Sequence, residues 1–172
     1  MKYPYFQNYF GAELTEDEYQ DVKHPYVEMY THVTLKTVQA GTLFGTLLFG
    51  PLIALARKDT RNMKGLVAKV GKAGKVGAGI GLVTGPAMTY SKFRDQTYEQ
   101  VWDRAYRVRK NRGQVRADQG YIAGGVIGSL VTTLTASNPL VGELVGSSIG
   151  ILGAAYYTNM YLPKKEKEEK KE

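Results

Sequence analysis

Apolar residues in this chain come in long blocks, and the charges are gathered between them. From Thr37 to Ala56 twenty residues pass without a charge, TVQAGTLFGTLLFGPLIALA. About twenty such residues cross the hydrocarbon core of a bilayer. The pattern therefore predicts a membrane helix over 37–56, loosened by Pro51 and ended by Arg57, Lys58 and Arg61. Residues 76–90 are uncharged but short for a span. Extension back to Leu66 supplies the length and takes in Lys69, Lys72 and Lys75, whose long side chains reach an interface from near a helix end. This gives a second helix over 66–90. Gln119 to Gly142 is again free of charge, which predicts a third helix over 119–137. Asn138-Pro139 makes a tight break, and a fourth helix follows over 140–161 with Glu143 as its only acid.

Glycine is placed regularly inside these blocks. Gly120, Gly124 and Gly128 recur every fourth residue, as do Gly77, Gly81 and Gly85, and Gly142, Gly146 and Gly150. Residues four apart share a helix face, so each set forms a stripe. In a water-exposed helix each glycine costs about 1 kcal/mol relative to alanine. In a membrane helix small residues let two backbones approach closely. These nine glycines are the expected helix-packing residues. The expected fold is an all-α membrane protein: four transmembrane helices with glycine-striped packing faces, and an amphipathic interfacial helix.

Residues outside the blocks divide the rest of the chain. Residues 1–32 form an aromatic and acidic arm, with Thr15 and Glu18 placed for a capping box on a short helix near 16–23. The membrane domain covers 33–162. Its segment 91–118 is basic and aromatic, with Tyr98, Trp102 and Tyr106 on one face and Phe93, Thr97, Val101, Ala105 and Val108 on a neighbouring strip. That pattern fits a helix lying at a membrane interface or against a partner. Tyr156, Tyr157 and Tyr161 suit an aromatic belt, and 163–172 is a charged tail expected to be disordered.

The formal net charge of +7 fits an anionic membrane surface, an acidic partner or nucleic acid. Cysteine is absent, which excludes disulfides and thiolate metal sites. The two histidines, His24 and His32, belong to no set with metal-ligand spacing. No serine sits in a nucleophile elbow and no acid–base pair stands out, so catalytic, cofactor and metal sites are all expected to be absent. Gly79-Ile80-Gly81 with Gly85 approximates a dinucleotide fingerprint, but that motif needs a preceding strand and a βαβ unit. A soluble, basic nucleic-acid-binding protein is the alternative from composition alone.

An Arg/Asp-bearing segment leads into a Gly-Gly helix: Arg112, Arg116 and Asp118, then Gly124, Gly125 and Gly128. With four helices and glycine stripes, this resembles the mitochondrial preprotein and amino-acid transporter (Tim-type translocase) family. The resemblance covers about 37–162 and is greatest to the family's four-helix accessory subunit of respiratory complex I. In the family the arginine and aspartate are four apart and the second glycine is followed by three residues; here both spacings differ. The resemblance implies a non-catalytic structural subunit of the mitochondrial inner membrane, multi-pass and without a cleaved presequence. Its implied partners are subunits of a large membrane complex, first the complex I membrane arm. Phospholipid, cardiolipin included, is expected at the basic segments, and neither nucleic acid nor a small-molecule substrate is expected. Arg112, Arg116, Asp118 and Gly125 become the expected motif and anchor residues. A subunit of a preprotein translocase is the alternative. Counting Lys and Arg in the loops places both termini in the matrix, whereas the resemblance implies the intermembrane space.

Overall fold

The computed structural model describes residues 4–12 and 14–163. Among the described residues the chain is all-helical and has no strand. Most of the tail expected at 163–172 lies outside them. Two short helices come first, α1 over Pro4–Tyr9 and α2 over Glu16–Gln20. α2 starts at a reciprocal cap. The Thr15 hydroxyl accepts from the Glu18 N–H, and the Glu18 carboxylate accepts from the Thr15 N–H at 2.9 Å.

The first long helix begins earlier than its apolar block. α3 runs over Pro25–Phe44, so the arm expected over 1–32 gives way to helix at Pro25. Proline suits a first helical position, where its missing N–H has no partner to lose. Past Phe44 the helix widens into a π turn over Gly45–Phe49 and continues as α4, Gly50–Ala56. Pro51 supplies the reason. Its ring would collide with the carbonyl four residues back in a regular α-helix. The Gly50 N–H instead reaches the Gly45 carbonyl, five residues back, and the chain passes Pro51 without breaking.

α5 spans Met63–Phe93 as one helix with Pro86 inside it, capped by Asn62, whose side chain accepts from the Gly65 N–H at 2.8 Å. The segment expected as a single interfacial piece over 91–118 is divided. α6 covers Tyr98–Lys110, with a capping box from Thr97 and Gln100. α7 covers Arg112–Leu134, so the third long helix starts before Gln119 and ends before Ser137. Asn111 accepts from the Gln114 N–H at 3.1 Å and starts α7 inside the charged run. Ala136, at φ 51°, turns the chain into α8, Pro139–Tyr156, which closes in a π turn over Tyr157–Tyr161.

The four long helices form two antiparallel hairpins, α3–α4 with α5 and α7 with α8, and α8 also packs on α3 and α5. α6 lies across the open end against α3. There Val22, Met29, Phe93, Val101 and Ala105 make an apolar core. The strip of Val101 and Ala105 is therefore covered by the chain's own helices.

Along the hairpins the distribution of polarity is inverted. The buried side chains include Gln39, Thr42, Thr46, Thr89, Ser147 and Ser148, while Phe44, Leu47, Leu48, Phe49, Leu52, Ile127, Leu130 and Ile149 are exposed. A water-soluble bundle buries its large aliphatic residues instead. Two segments, Pro25–Ala56 and Pro139–Tyr161, are long and apolar enough to cross a membrane, with mean hydropathy 1.6 and 1.3. Only 33% and 22% of their most apolar windows are buried, unlike the core helix of a soluble protein. α5 and α7 do not reach that apolarity, so two helices meet the criterion where four spans were expected. Lys64, Lys69, Lys72 and Lys75 lower it in α5, and Arg112, Arg116 and Asp118 do so at the start of α7.

Candidate functional site

Two glycine seams and a buried charge network hold the bundle together. In the first seam Gly41 of α3 meets Gly77 of α5, and a Cβ built on either would collide with the other's carbonyl. Gly81 lies against the backbone at Thr37 and Val38, and Gly85 against Thr34. The Thr37 hydroxyl donates to the Gly81 carbonyl at 2.7 Å, a bond between helices that the small residue admits. In the second seam Gly120, Gly124 and Gly128 of α7 face Gly150, Gly146 and Gly142 of α8 in antiparallel register. A Cβ on Gly120 would lie 2.5 Å from the Gly150 carbonyl oxygen. Each carbonyl rests against the opposing glycine backbone, the setting of weak Cα–H···O contacts.

The nine expected packing glycines thus lie at two interfaces within the chain. Gly125 is buried beside the Ser147 hydroxyl and the Glu143 side chain. Gly79 has nothing near its missing Cβ and belongs to an uninterrupted helix, so the strand that a dinucleotide fingerprint needs is missing. Between the hairpins the contacts are small and polar. The hydroxyls of Thr46 and Ser148 are 2.7 Å apart, and those of Thr42 and Tyr121 are 3.2 Å apart.

The expected anchor residues are not brought together. Arg112 is exposed in the first turn of α7, and the Arg116 guanidinium lies over the Tyr157 ring at 5.9 Å. Asp118 is buried, and its partners come from α3. It accepts from the Lys36 ammonium and the Gln39 amide, both at 2.6 Å. A second buried pair joins α3 to α6. Arg109 meets the Glu28 carboxylate in a fork, Nε to Oε2 at 2.8 Å and Nη2 to Oε1 at 2.5 Å. Its Nη1 donates to the Glu18 carbonyl at 2.8 Å, and its own carbonyl accepts from the Asn8 amide at 3.0 Å. Arg109 therefore ties α1, α2, α3 and α6 to one point.

Lys36, Gln39, Glu28 and Arg109 were not among the expected site residues. Lys36 and Gln39 sit at the edge of an apolar block, three apart and so on one helix face. Glu28 and Arg109 are eighty-one residues apart, and only the fold joins them. At the surface Lys110 and Tyr106 both donate to Glu16, at 2.7 and 3.0 Å. The bond from Lys110 first, and then that from Tyr106, holds the Glu16 carboxyl below the usual carboxylate range.

Among the described residues no group of three or more His, Cys, Asp or Glu is placed to hold a metal. The arrangement packs and anchors helices.

Residues 5–157 match the family described as protein of unknown function (DUF1757), and the chain belongs to that family. No curated protein matches it.

Proposed function

We propose that the chain is a multi-pass membrane protein with a structural, non-catalytic role, in which both glycine-seamed hairpins cross the bilayer. The observation that carries this reading is the inverted bundle. Hydroxyls, an amide and glycine backbones make up most of its interior, beside the buried Val70 and Leu144, and large aliphatic and aromatic side chains cover the outside. Lipid solvates such a surface, and close backbone packing replaces the hydrophobic effect between the helices. α5 and α7 cross as partners of the two apolar helices, with the lysines near the start of α5 snorkelling toward one surface and Arg112 and Arg116 at the start of α7 toward the other. The exposed apolar belt counts against a soluble nucleic-acid binder.

The resemblance of the Arg112–Gly128 segment and the glycine stripes extends the proposal to an accessory subunit of a mitochondrial inner-membrane respiratory assembly, NADH dehydrogenase (complex I). There its helices would stabilise the membrane arm or its supercomplex contacts. The test is native electrophoresis of membranes solubilised in mild detergent, followed by mass spectrometry for this chain. The expected result is co-migration with complex I or a supercomplex. Migration with a preprotein translocase would replace the respiratory assignment, and loss from the membrane fraction would refute the multi-pass reading.

A further inference from the structure

A groove of about 560 Å³ opens sideways from the first hairpin. Its floor is the glycine seam, where Gly41, Gly45, Ala73 and Gly77 carry at most a methyl group and bring the two backbones together. Phe44, Phe49 and Ile53 form one wall, and Val76 and Ile80 the other. All five are exposed. The groove is charged at one end only, where Arg57, Lys69 and Lys72 line it. Among the described residues none of these three has a carboxylate within ion-pair distance, and no acid lines the groove.

The opposite end of the bundle differs. Four of the eight Lys and Arg residues in 91–118, namely Arg94, Arg107, Arg109 and Lys110, are in ion pairs. Uncompensated positive charge therefore collects where the apolar groove ends. From Lys69 to Ile80 the groove follows α5 for about 16 Å at 1.5 Å per residue.

We infer that this groove holds one anionic diacyl phospholipid. An acyl chain lies along the glycine floor between the aromatic and aliphatic walls, and the phosphate sits among Arg57, Lys69 and Lys72. Charge complementarity selects the headgroup, because a basic end with no carboxylate favours a net-negative lipid over a zwitterionic one. The glycines thereby acquire a second role, since the backbones they bring together close the groove behind the acyl chain. The inference rests on the membrane reading above.

The test uses the full chain purified in mild detergent, with native mass spectrometry after addition of phosphatidylglycerol or of phosphatidylcholine with the same acyl chains. The expected result is one retained phosphatidylglycerol and a clear preference over phosphatidylcholine. Arg57→Gln with Lys69→Gln and Lys72→Gln is expected to weaken phosphatidylglycerol retention on the order of a hundredfold, since each basic side chain near an anionic group contributes roughly a factor of five. Ile80→Trp, which fills the groove and leaves the charges in place, is expected to abolish retention while circular dichroism and thermal melting stay unchanged. Equal retention of the two lipids, or an unchanged preference in the triple variant, overturns the inference. Carbonate extraction of cell membranes separates the two failures. A chain that stays in the pellet without lipid preference refutes the groove alone. A chain released to the supernatant refutes the membrane reading beneath it.

Discussion

A single added methyl group decides whether two of these helices can meet. Gly124 faces the Gly146 carbonyl so closely that any Cβ must push the backbones apart. Gly124→Leu is expected to cost at least the 1–3 kcal/mol of ordinary overpacking and to abolish accumulation of the assembled protein, read by membrane abundance and native migration. Gly79 is the internal control, because it faces open space on an exposed part of α5. Gly79→Ala is expected to be neutral, or to stabilise by up to about 1 kcal/mol through helix propensity. Equal damage from the two changes would mean that glycine content, and not the seam, is what matters. The buried charges follow a different rule. Arg109→Ala leaves the Glu28 carboxylate without its partner, and breaking such a pair costs about 3–5 kcal/mol. Thermal melting in detergent checks this, and a loss below about 1 kcal/mol would place the pair in water.

At the scale of elements, the short helices depend on contacts that no long-range pattern announces. α2 is docked on α6 by Lys110 and Tyr106 acting on Glu16. The folded carboxyl is held below its unfolded value, so the bond stabilises fully above the unfolded pKa of about 4. That contribution is lost as the pH falls through the lower folded value. Hydrogen exchange across α2 is expected to be slow and pH-independent, after correction for intrinsic rates, from neutrality to about pH 5, and to accelerate below about pH 4. Lys110→Gln should lower the protection at neutral pH only a few-fold, since an exposed ion pair contributes little to stability and Arg109 still holds the Glu18 carbonyl. The α7–α8 turn carries strain of its own. Ala136 holds a left-handed conformation at φ 51°, which costs an L-residue roughly 1–2 kcal/mol. Ala136→Gly relieves it and is expected to raise the melting temperature slightly, whereas Ala136→Val should lower it.

For the whole molecule, the question is which solvent surrounds the hairpins. Ile127 is 61% exposed on α7, so its environment reports that solvent directly. Ile127→Arg is expected to cost about 2–4 kcal/mol if lipid surrounds it and to reduce the carbonate-resistant fraction, while Ile127→Leu leaves that fraction unchanged. An Ile127→Arg variant that remains fully membrane-integrated would contradict a lipid-facing α7. The same view explains why basic charge divides unevenly along the bundle. At the end bearing α6, half of the arginines and lysines of 91–118 are in ion pairs, and two of these pairs fasten α6 to α3 and α2. At the 57–75 end, among the described residues, none of them is in an ion pair.

Periodicity by itself determined that the chain is helical and that its glycines lie in stripes, because both follow from spacing along one helix. It also located the apolar blocks, since these are a matter of local composition. Only the tertiary structure decided which stripes meet: Gly41 with Gly77, and Gly124 with Gly146. Spacing gives a residue its face but not its neighbour. Helix ends were missed where a local cap or proline overrode the composition, as when Asn111 started α7 inside a charged run and Pro25 started α3 ahead of its apolar block. The anchor residues show the same division. Asp118 stood out from the sequence as an acid beside a glycine helix, but its partners Lys36 and Gln39 lie about eighty residues away along the chain. A buried charge must find a counter-charge, and the folded path of the backbone determines which one it reaches.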